Sequence, residues 1–135
     1  MQMNPSKIKS CLELALKAAA EASRELLNHV DDQNESLVIR AKRDGSLVSS
    51  VDLESHQIIE GILSEVGIPI ISEEGQLPSY SERKDWALFW LVDPLDGTES
   101  YLKSRSGFAV NLALCDQSGP FLGVIADPLA GIIYG

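Results

Sequence analysis

Two carboxylates and a hydroxyl follow an apolar run within residues 90–98, whose sequence is W-L-V-D-P-L-D-G-T. The run 88–92 predicts a buried strand, and Asp93 and Asp96 leave it inside a turn that contains proline and glycine. A buried strand that ends in two acids is unfavourable unless a cation neutralises them, and hard cations such as Mg²⁺ prefer oxygen ligands. Thr98 adds a hydroxyl, and a helix that began just after it would offer backbone N–H groups to an anion. A metal beside an anion site indicates phosphate chemistry.

The same segment has a simpler interpretation as a surface turn. Asp-Pro and Asp-Gly pairs are ordinary turn sequences, and the segment alone fits a turn as well as it fits a metal site. The acids Glu73 and Glu74 change this balance, because they follow a second short apolar run at 68–71. Two strands that both end in carboxylates are typical of a site built at the strand ends of an open sheet.

A third polar segment lies at 42–52, where an Asp44-Gly45 turn and several hydroxyls precede Asp52 at the start of a helical pattern. Ser49 and Asp52 have the spacing of a capping box, and acids stabilise the first turn of a helix. Considered alone, Asp52 is therefore explained by helix capping.

In this order, the three segments resemble those of the inositol-monophosphatase-like family of Mg²⁺-dependent, lithium-sensitive phosphatases. That family carries an acidic pair after one strand and D-P-I/L-D-G-T after the next. Within it, K-x-D-x-S-x-V-S-x-x-D at 42–52, S-E-E at 72–74 and the segment 90–98 are most similar to the CysQ-type 3'(2'),5'-bisphosphate nucleotidases. The stretches 108–114 and 123–128 are similar too, so the resemblance covers nearly the whole chain from Lys42 onward.

The resemblance implies a role for each matched residue. Asp52 and Thr98 match the pair that orients and deprotonates the attacking water, and two or three Mg²⁺ ions are implied per complete site. Glu74 is expected only to support its loop. The implied sets are the catalytic residues Asp52, Thr98 and Glu73; the metal ligands Glu73, Asp93, Asp96 and the backbone carbonyl of Leu95; and phosphate contacts at Asp96, Gly97 and Thr98.

Two features depart from the family pattern. The family's W-D-x-x-A/G motif, whose aspartate completes the second metal site, has no match in the sequence. Glu99 follows D-G-T where the bisphosphate nucleotidases commonly have lysine. We therefore expect residues 1–135 to be the N-terminal metal- and phosphate-binding domain, about half of such an enzyme, and to lack phosphatase activity on their own.

The expected function of the complete protein is Mg²⁺-dependent hydrolysis of a small phosphorylated substrate, foremost adenosine 3',5'-bisphosphate. An inositol or sugar monophosphatase would use the same residues and is an alternative. A second alternative, from another class, is a module that binds metal or forms a homo-oligomer without turnover.

Composition predicts one globular cytoplasmic domain. The net charge of −9 argues against binding to nucleic acid or to anionic membranes. Cys11 and Cys115 lie far apart on apolar patterns, which favours two buried thiols over a disulfide. Charged residues interrupt the first 25 positions, which argues against a signal peptide or a membrane helix.

Hydrophobic periodicity predicts an α+β fold in which a helix pair packs on a largely antiparallel sheet. One helix is expected from Pro5 to about Val30 and another from Asp52 to about Val66, with polar loops at 31–36, 42–49 and 76–85. His56 is expected to be a partly exposed residue of the second helix. Strands are expected at 37–41, 68–71, 88–92, 108–115, 120–126 and 132–134. Two sets of side chains carry the packing predictions: Leu53, Ile59, Ile62, Leu63 and Val66 should face inward, whereas Val110, Leu112, Leu114, Val124 and Ile125 should not all fit beneath two helices.

Overall fold

A computed structural model describes residues 3–30, 39–41 and 47–135 of the chain. The expected turn at Asp44-Gly45 and the matched Lys42 lie outside the described residues. The elements are α1 (Pro5–Asn28), β1 (Ile39–Ala41), β2 (Leu47–Ser49), α2 (Ser50–Leu63), a 3₁₀ turn (Ser64–Val66), β3 (Ile70–Ser72), α3 (Tyr80–Arg83), β4 (Phe89–Asp96), α4 (Thr98–Ser104), β5 (Ala109–Asp116), β6 (Gly119–Asp127) and β7 (Ile132–Tyr134).

The expected α+β architecture is confirmed. Strands β3 to β7 form one sheet in the order β3-β4-β5-β6-β7, and β1 and β2 form a separate antiparallel pair. Within the larger sheet β3 runs parallel to β4, and every later neighbour is antiparallel. The parallel pair brings the carboxyl ends of β3 and β4 to the same edge of the sheet.

Helix α1 lies against the sheet and against α2 through small side chains. Asn4 caps its first turn by accepting a hydrogen bond from the Lys7 N–H at 2.8 Å, and Pro5 occupies the first helical position. The alanine positions allow close approach of the neighbouring elements, because they add little volume between the backbones. The core includes the fully buried residues Ala15, Ala18, Ala19, Ala22, Leu26, Trp90, Val110, Leu114 and Val124.

The sheet is covered on only one face by described elements. Val110, Leu112, Leu114 and Val124 are all buried in the core beneath the helices, whereas Ile125 points the other way and is 52% exposed. Leu91 on β4 shares that exposed face at 40%. The strands thus carry apolar side chains on both faces, as their sequence indicates.

Three local predictions are wrong. Residues 47–49 are not loop but strand β2, since a three-residue strand is too short to show a periodic signal. The expected loop at 76–85 contains α3, capped by Ser79, whose side chain accepts from the Glu82 N–H; the S-x-x-E pattern was the available signal. Leu53 is 39% exposed, because the buried face of α2 repeats every fourth residue from Val51 to Ile59 and Leu53 lies off it.

Both cysteines are buried free thiols, as predicted. Burial raises the pKa of each thiol above its usual value. Within the described ranges, every helix is too short or too polar to cross a lipid bilayer.

The packing of α4 against α1 yields a testable prediction. The buried Tyr101 hydroxyl donates a hydrogen bond to the Leu26 carbonyl at 2.9 Å, and the Tyr101 ring packs edge-on against Phe108. Tyr101→Phe keeps the ring contacts but removes the donor, so we expect the free energy of unfolding to fall by about 1 kcal/mol. Urea denaturation measures this change. The control Tyr80→Phe removes a hydroxyl from a 72% exposed ring and should change stability by less than about 0.5 kcal/mol. Equal effects from the two variants would show that the Tyr101 hydrogen bond contributes nothing.

Candidate active site

The acidic loop after β3 lies beside the end of β4. Ser72 pairs with Val92 across the parallel strands, and the Glu73 N–H donates to the Val92 carbonyl at 3.1 Å. This bond continues the ladder by one residue and places Glu73 next to Asp93. Two sequence segments that are far apart therefore meet at one sheet edge, where ligand sites of such sheets commonly lie.

A bulge in β4 sets the directions of the two aspartates. Asp93 pairs with Asn111 and Asp96 pairs with Ala109, so three residue steps on β4 match two on β5. In a regular strand, residues an odd number of positions apart face opposite sides. The extra residue cancels this alternation. The Asn111 amide, directly opposite Asp93, donates to Asp96 Oδ2 at 3.1 Å, so all three side chains share one face.

β4 thus extends through the segment predicted to be a turn after residue 92. Its local geometry combines a strand with a bulge at Pro94 and Leu95, both of which are buried. Leu95 is only 3% exposed, and its carbonyl accepts a 3.4 Å hydrogen bond from the Thr98 hydroxyl. The backbone of Leu95 therefore contacts a residue of the site.

Asp93 has the most perturbed titration of the described groups. Burial is the largest cause that raises its pKa to about 6, and the negative charges of Asp96, Glu73 and Glu74 raise it further. A hydrogen bond from the Leu95 backbone acts in the opposite direction. The carboxylates are therefore close enough to repel one another. The donors are all hard oxygens, so the cluster fits a divalent cation such as Mg²⁺.

Asp52 both caps α2 and contacts Thr98. Its Oδ2 accepts the Ser49 N–H at 2.8 Å and the Ser49 hydroxyl at 2.5 Å, which completes a capping box at the start of α2. Its Oδ1 accepts the Thr98 hydroxyl at 2.6 Å. Asp52 is fully buried, and these bonds fix its carboxylate orientation. Capping and a site contact are therefore compatible in one side chain.

Gly97 is required by the chain path between β4 and α4. Its φ of +96° lies in the left-handed region, and a Cβ built there would be 2.5 Å from the Gly107 carbonyl oxygen. α4 then begins at Thr98 without a side-chain cap on Gly97. The tight approach fixes the position of the Thr98 hydroxyl relative to the bulge.

Two open clefts are lined by the acids at this edge of the sheet. One of about 640 Å³ is lined by Glu73, Asp93 and Asn111 and continues over the exposed apolar face that carries Leu91 and Ile125. The other, of about 570 Å³, is lined by Asp96 and Gly97 together with residues 107–109 and residues at and after the end of β6. The acidic cluster thus lies between a mainly apolar cleft and a more polar one.

Sequence reasoning did not assign two polar residues that support the site. Asn111 was visible only as an amide inside an apolar strand, and its contact with Asp96 depends on the bulge. Ser55 is fully buried, and its hydroxyl donates to the Pro94 carbonyl at 2.6 Å. A polar residue on the inward face of α2 was the available signal.

A second group of metal-type ligands lies between α1 and α2. His29 Nε2 is 3.1 Å from both Glu25 Oε1 and Glu54 Oε2, and the three ligand atoms lie within 4.8 Å of one another. These contacts are explained by an imidazole N–H shared between two carboxylates at the C-terminus of α1, where positive charge is favourable. This histidine cluster is separate from the residues implied by the D-P-L-D-G-T motif.

Comparison with known proteins shows the family of the chain. Residues 7–135 match the inositol monophosphatase family, and the chain belongs to that family. The 3'(2'),5'-bisphosphate nucleotidase CysQ of Shigella flexneri is 35% identical over 117 residues, which are 85% of this chain and 47% of the relative. The chain spans about half the length of the curated relatives that it matches.

Solved structures share the fold. The extragenic suppressor protein suhB from Bartonella henselae matches with a TM-score of 0.81 at 28% identity, over 92% of this chain and 47% of that protein. CysQ from Bacteroides thetaiotaomicron, a bacterial member of the inositol monophosphatase family, matches with a TM-score of 0.77 at 33% identity. That match covers 93% of this chain and 45% of the solved one.

The raised pKa of Asp93 predicts how stability changes with pH. Without metal, the folded state holds this proton more tightly than the unfolded state, so stability from Asp93 falls as pH rises from about 4 to about 6. Asp93→Asn removes the repelled charge. We expect the variant to be more stable than the native protein by about 1 kcal/mol at pH 8 in EDTA, after allowance for solvent screening, and equal to it near pH 4.

Urea denaturation at both pH values measures this difference. Asp85→Asn, at an exposed position, is the matched control and should have little effect at either pH. A destabilised Asp93→Asn protein at pH 8 would contradict the proposed repulsion. Added Mg²⁺ should make the native protein more stable than Asp93→Asn, because only the native carboxylate can bind the cation.

Proposed function

We propose that the full-length protein hydrolyses phosphomonoesters with Mg²⁺ as its cofactor. The observation that carries this proposal is the hydrogen bond from Thr98 to Asp52 beside a cluster of carboxylates. A structural cap alone would not require Asp52 to reach a hydroxyl 46 positions away in the sequence. The arrangement supplies a proton path at the edge of an anionic site.

Thr98 and Asp52 are the proposed means of activating water. The Thr98 hydroxyl uses its one proton to donate a hydrogen bond to Asp52 Oδ1. The lone pairs on Thr98 Oγ1 are therefore available to accept a hydrogen bond from water. As that water attacks phosphorus and the ester P–O bond breaks, the water proton passes to Thr98 and the Thr98 proton passes to Asp52. The leaving alkoxide takes its proton from solvent. Threonine is a weak base, so the buried carboxylate is the final acceptor.

Glu73, Asp93, Asp96 and the carbonyl of Leu95 are the proposed ligands of the cations. When bound, Mg²⁺ supplies Lewis-acid stabilisation of the attacking and leaving oxygens. Without a cation the carboxylates would repel a phosphate ester, so substrate binding depends on bound Mg²⁺. Gly97 and Thr98 are proposed to contact the phosphate where α4 begins, with two or three ions in the complete site.

The proposed substrate is a 3'-phosphorylated nucleotide, foremost adenosine 3',5'-bisphosphate, and the proposed compartment is the cytoplasm. The CysQ relatives support the substrate, and the two buried free thiols agree with a reducing compartment. Glu99 favours a second candidate, an inositol or sugar monophosphatase, because it replaces the lysine common in the nucleotidases. In the structure Glu99 pairs with Lys103 at 2.6 Å, and this contact lowers the pKa of Glu99. The ratio of kcat/KM for adenosine 3',5'-bisphosphate and inositol 1-phosphate separates the two candidates.

Asp52→Asn tests the mechanism. The amide keeps the shape of the side chain but cannot take up the proton, so kcat should fall by about 10²- to 10⁴-fold while the fold is retained. Phosphate release from adenosine 3',5'-bisphosphate with Mg²⁺ measures turnover, and circular dichroism checks the fold. Glu65→Gln, an exposed carboxylate-to-amide change just after α2, is the control and should have native turnover. Near-native turnover in Asp52→Asn would remove Asp52 from the mechanism.

A further inference from the structure

One face of α2 contacts three separate segments of the proposed site. Asp52, Ser55 and His56 have the spacing that puts helical residues on a common face. Asp52 bonds to Thr98, and Ser55 bonds to Pro94 within the bulge. His56 Nδ1 lies 2.8 Å from Ser72 Oγ, at the start of the loop that carries Glu73. The first two turns of α2 therefore contact the end of β3, the bulge in β4 and the start of α4.

The imidazole of His56 is held from both sides. Its Nε2 lies 3.1 Å from Glu60 Oε2, one helical turn further along α2, and the side chain is 13% exposed. An ionised carboxylate can only accept, so in the neutral ring this contact assigns the proton to Nε2. Nδ1 then accepts the hydrogen bond donated by the Ser72 hydroxyl. His56 is thus a partly exposed residue of α2, as predicted, with a polar contact at each ring nitrogen.

The loop 72–75 packs around this ring. Ser72 Oγ accepts the Glu74 N–H at 3.4 Å, and the Gly75 N–H donates to the Ser72 carbonyl at 3.1 Å. A Cβ at Gly75 would be 3.3 Å from His56 Cε1 and 3.5 Å from Ser72 Cβ, so a larger residue would crowd the ring. The hydrogen bond to Ser72 and the close packing of Gly75 beside the ring constrain the backbone from which the Glu73 side chain extends.

We propose that His56 is a positioning residue, which orients Glu73 for its cation through Ser72. This inference rests on the proposed ligand role of Glu73. Residues that orient ligands without touching the metal commonly change its affinity by about 10- to 100-fold when they are replaced. His56 should therefore act on the Mg²⁺ requirement rather than on the chemical step.

Two amide substitutions separate the two ring contacts. The amide of asparagine can replace Nδ1, and the longer glutamine side chain can replace Nε2. In the full-length protein, His56→Gln should raise the half-saturating Mg²⁺ concentration by about tenfold or more. The kcat at saturating Mg²⁺ should stay near native. His56→Asn should need nearly native Mg²⁺, because it keeps a partner for Ser72.

Further variants test the path through Ser72. Ser72→Ala should raise the Mg²⁺ requirement as His56→Gln does, and the double variant should be no worse than either single one. His29→Gln is the control, because this second histidine also contacts glutamate carboxylates but lies in the other cluster, away from Ser72. It should lower the melting temperature without changing the Mg²⁺ requirement.

Calorimetric titration with Mg²⁺, beside turnover of adenosine 3',5'-bisphosphate, distinguishes the outcomes. Weaker binding in His56→Gln and Ser72→Ala, with native-like binding in His56→Asn, supports the proposal. Native affinity in His56→Gln overturns it and leaves the proposed function intact. Equal losses in both His56 variants, with lowered melting temperatures, also overturn it, since they show a purely structural role. A native protein that binds Mg²⁺ without turnover contradicts the proposed function, and the affinities still decide the role of His56.

Discussion

Repulsion among carboxylates is the constraint on which the rest of this structure depends. Burial and the charges of Asp96 and Glu73 raise the pKa of Asp93 to about 6, so the folded chain holds these groups in an unfavourable arrangement. Parallel pairing of β3 with β4 brings Glu73 to the same sheet edge, and the bulge turns both aspartates to one face. A divalent cation is the natural relief for such a cluster, and its binding would be coupled to the stability of the fold.

Helix α2 makes the unfavourable arrangement possible. It is anchored by a capping box at Ser49 and buried against α1 through residues such as Ile59 and Leu63. Hydrophobic packing therefore fixes the helix, and the helix in turn holds the bulge through Ser55 and the Thr98 hydroxyl through Asp52. The apolar core and the polar site are thus connected by hydrogen bonds from one helix, which hold the bulge and Thr98 in place against the repulsion among the acids.

Local sequence patterns predicted the helix pair, most strands and the acids, because apolar periodicity and turn residues act over short distances. They did not predict that Asp93 and Asp96 share a face, since the extra residue in β4 is defined only by pairing with β5. The contact of Asn111 with Asp96 was not predicted, because it too depends on this bulge. Strand β2 is too short to show a period, and Leu53 is apolar but lies off the buried face of α2. Contacts between distant segments carry the information that the local patterns lack.

The position of a bound cation tests the central claim most directly. Crystals of the full-length protein soaked in Mn²⁺, which gives an anomalous signal and has ligand preferences similar to those of Mg²⁺, would locate the ion. We expect anomalous density bounded by the carboxylates of Glu73, Asp93 and Asp96 at the bulge in β4. Density only at the histidine cluster between α1 and α2, with none at the bulge, would contradict the assignment of the acids as a metal site.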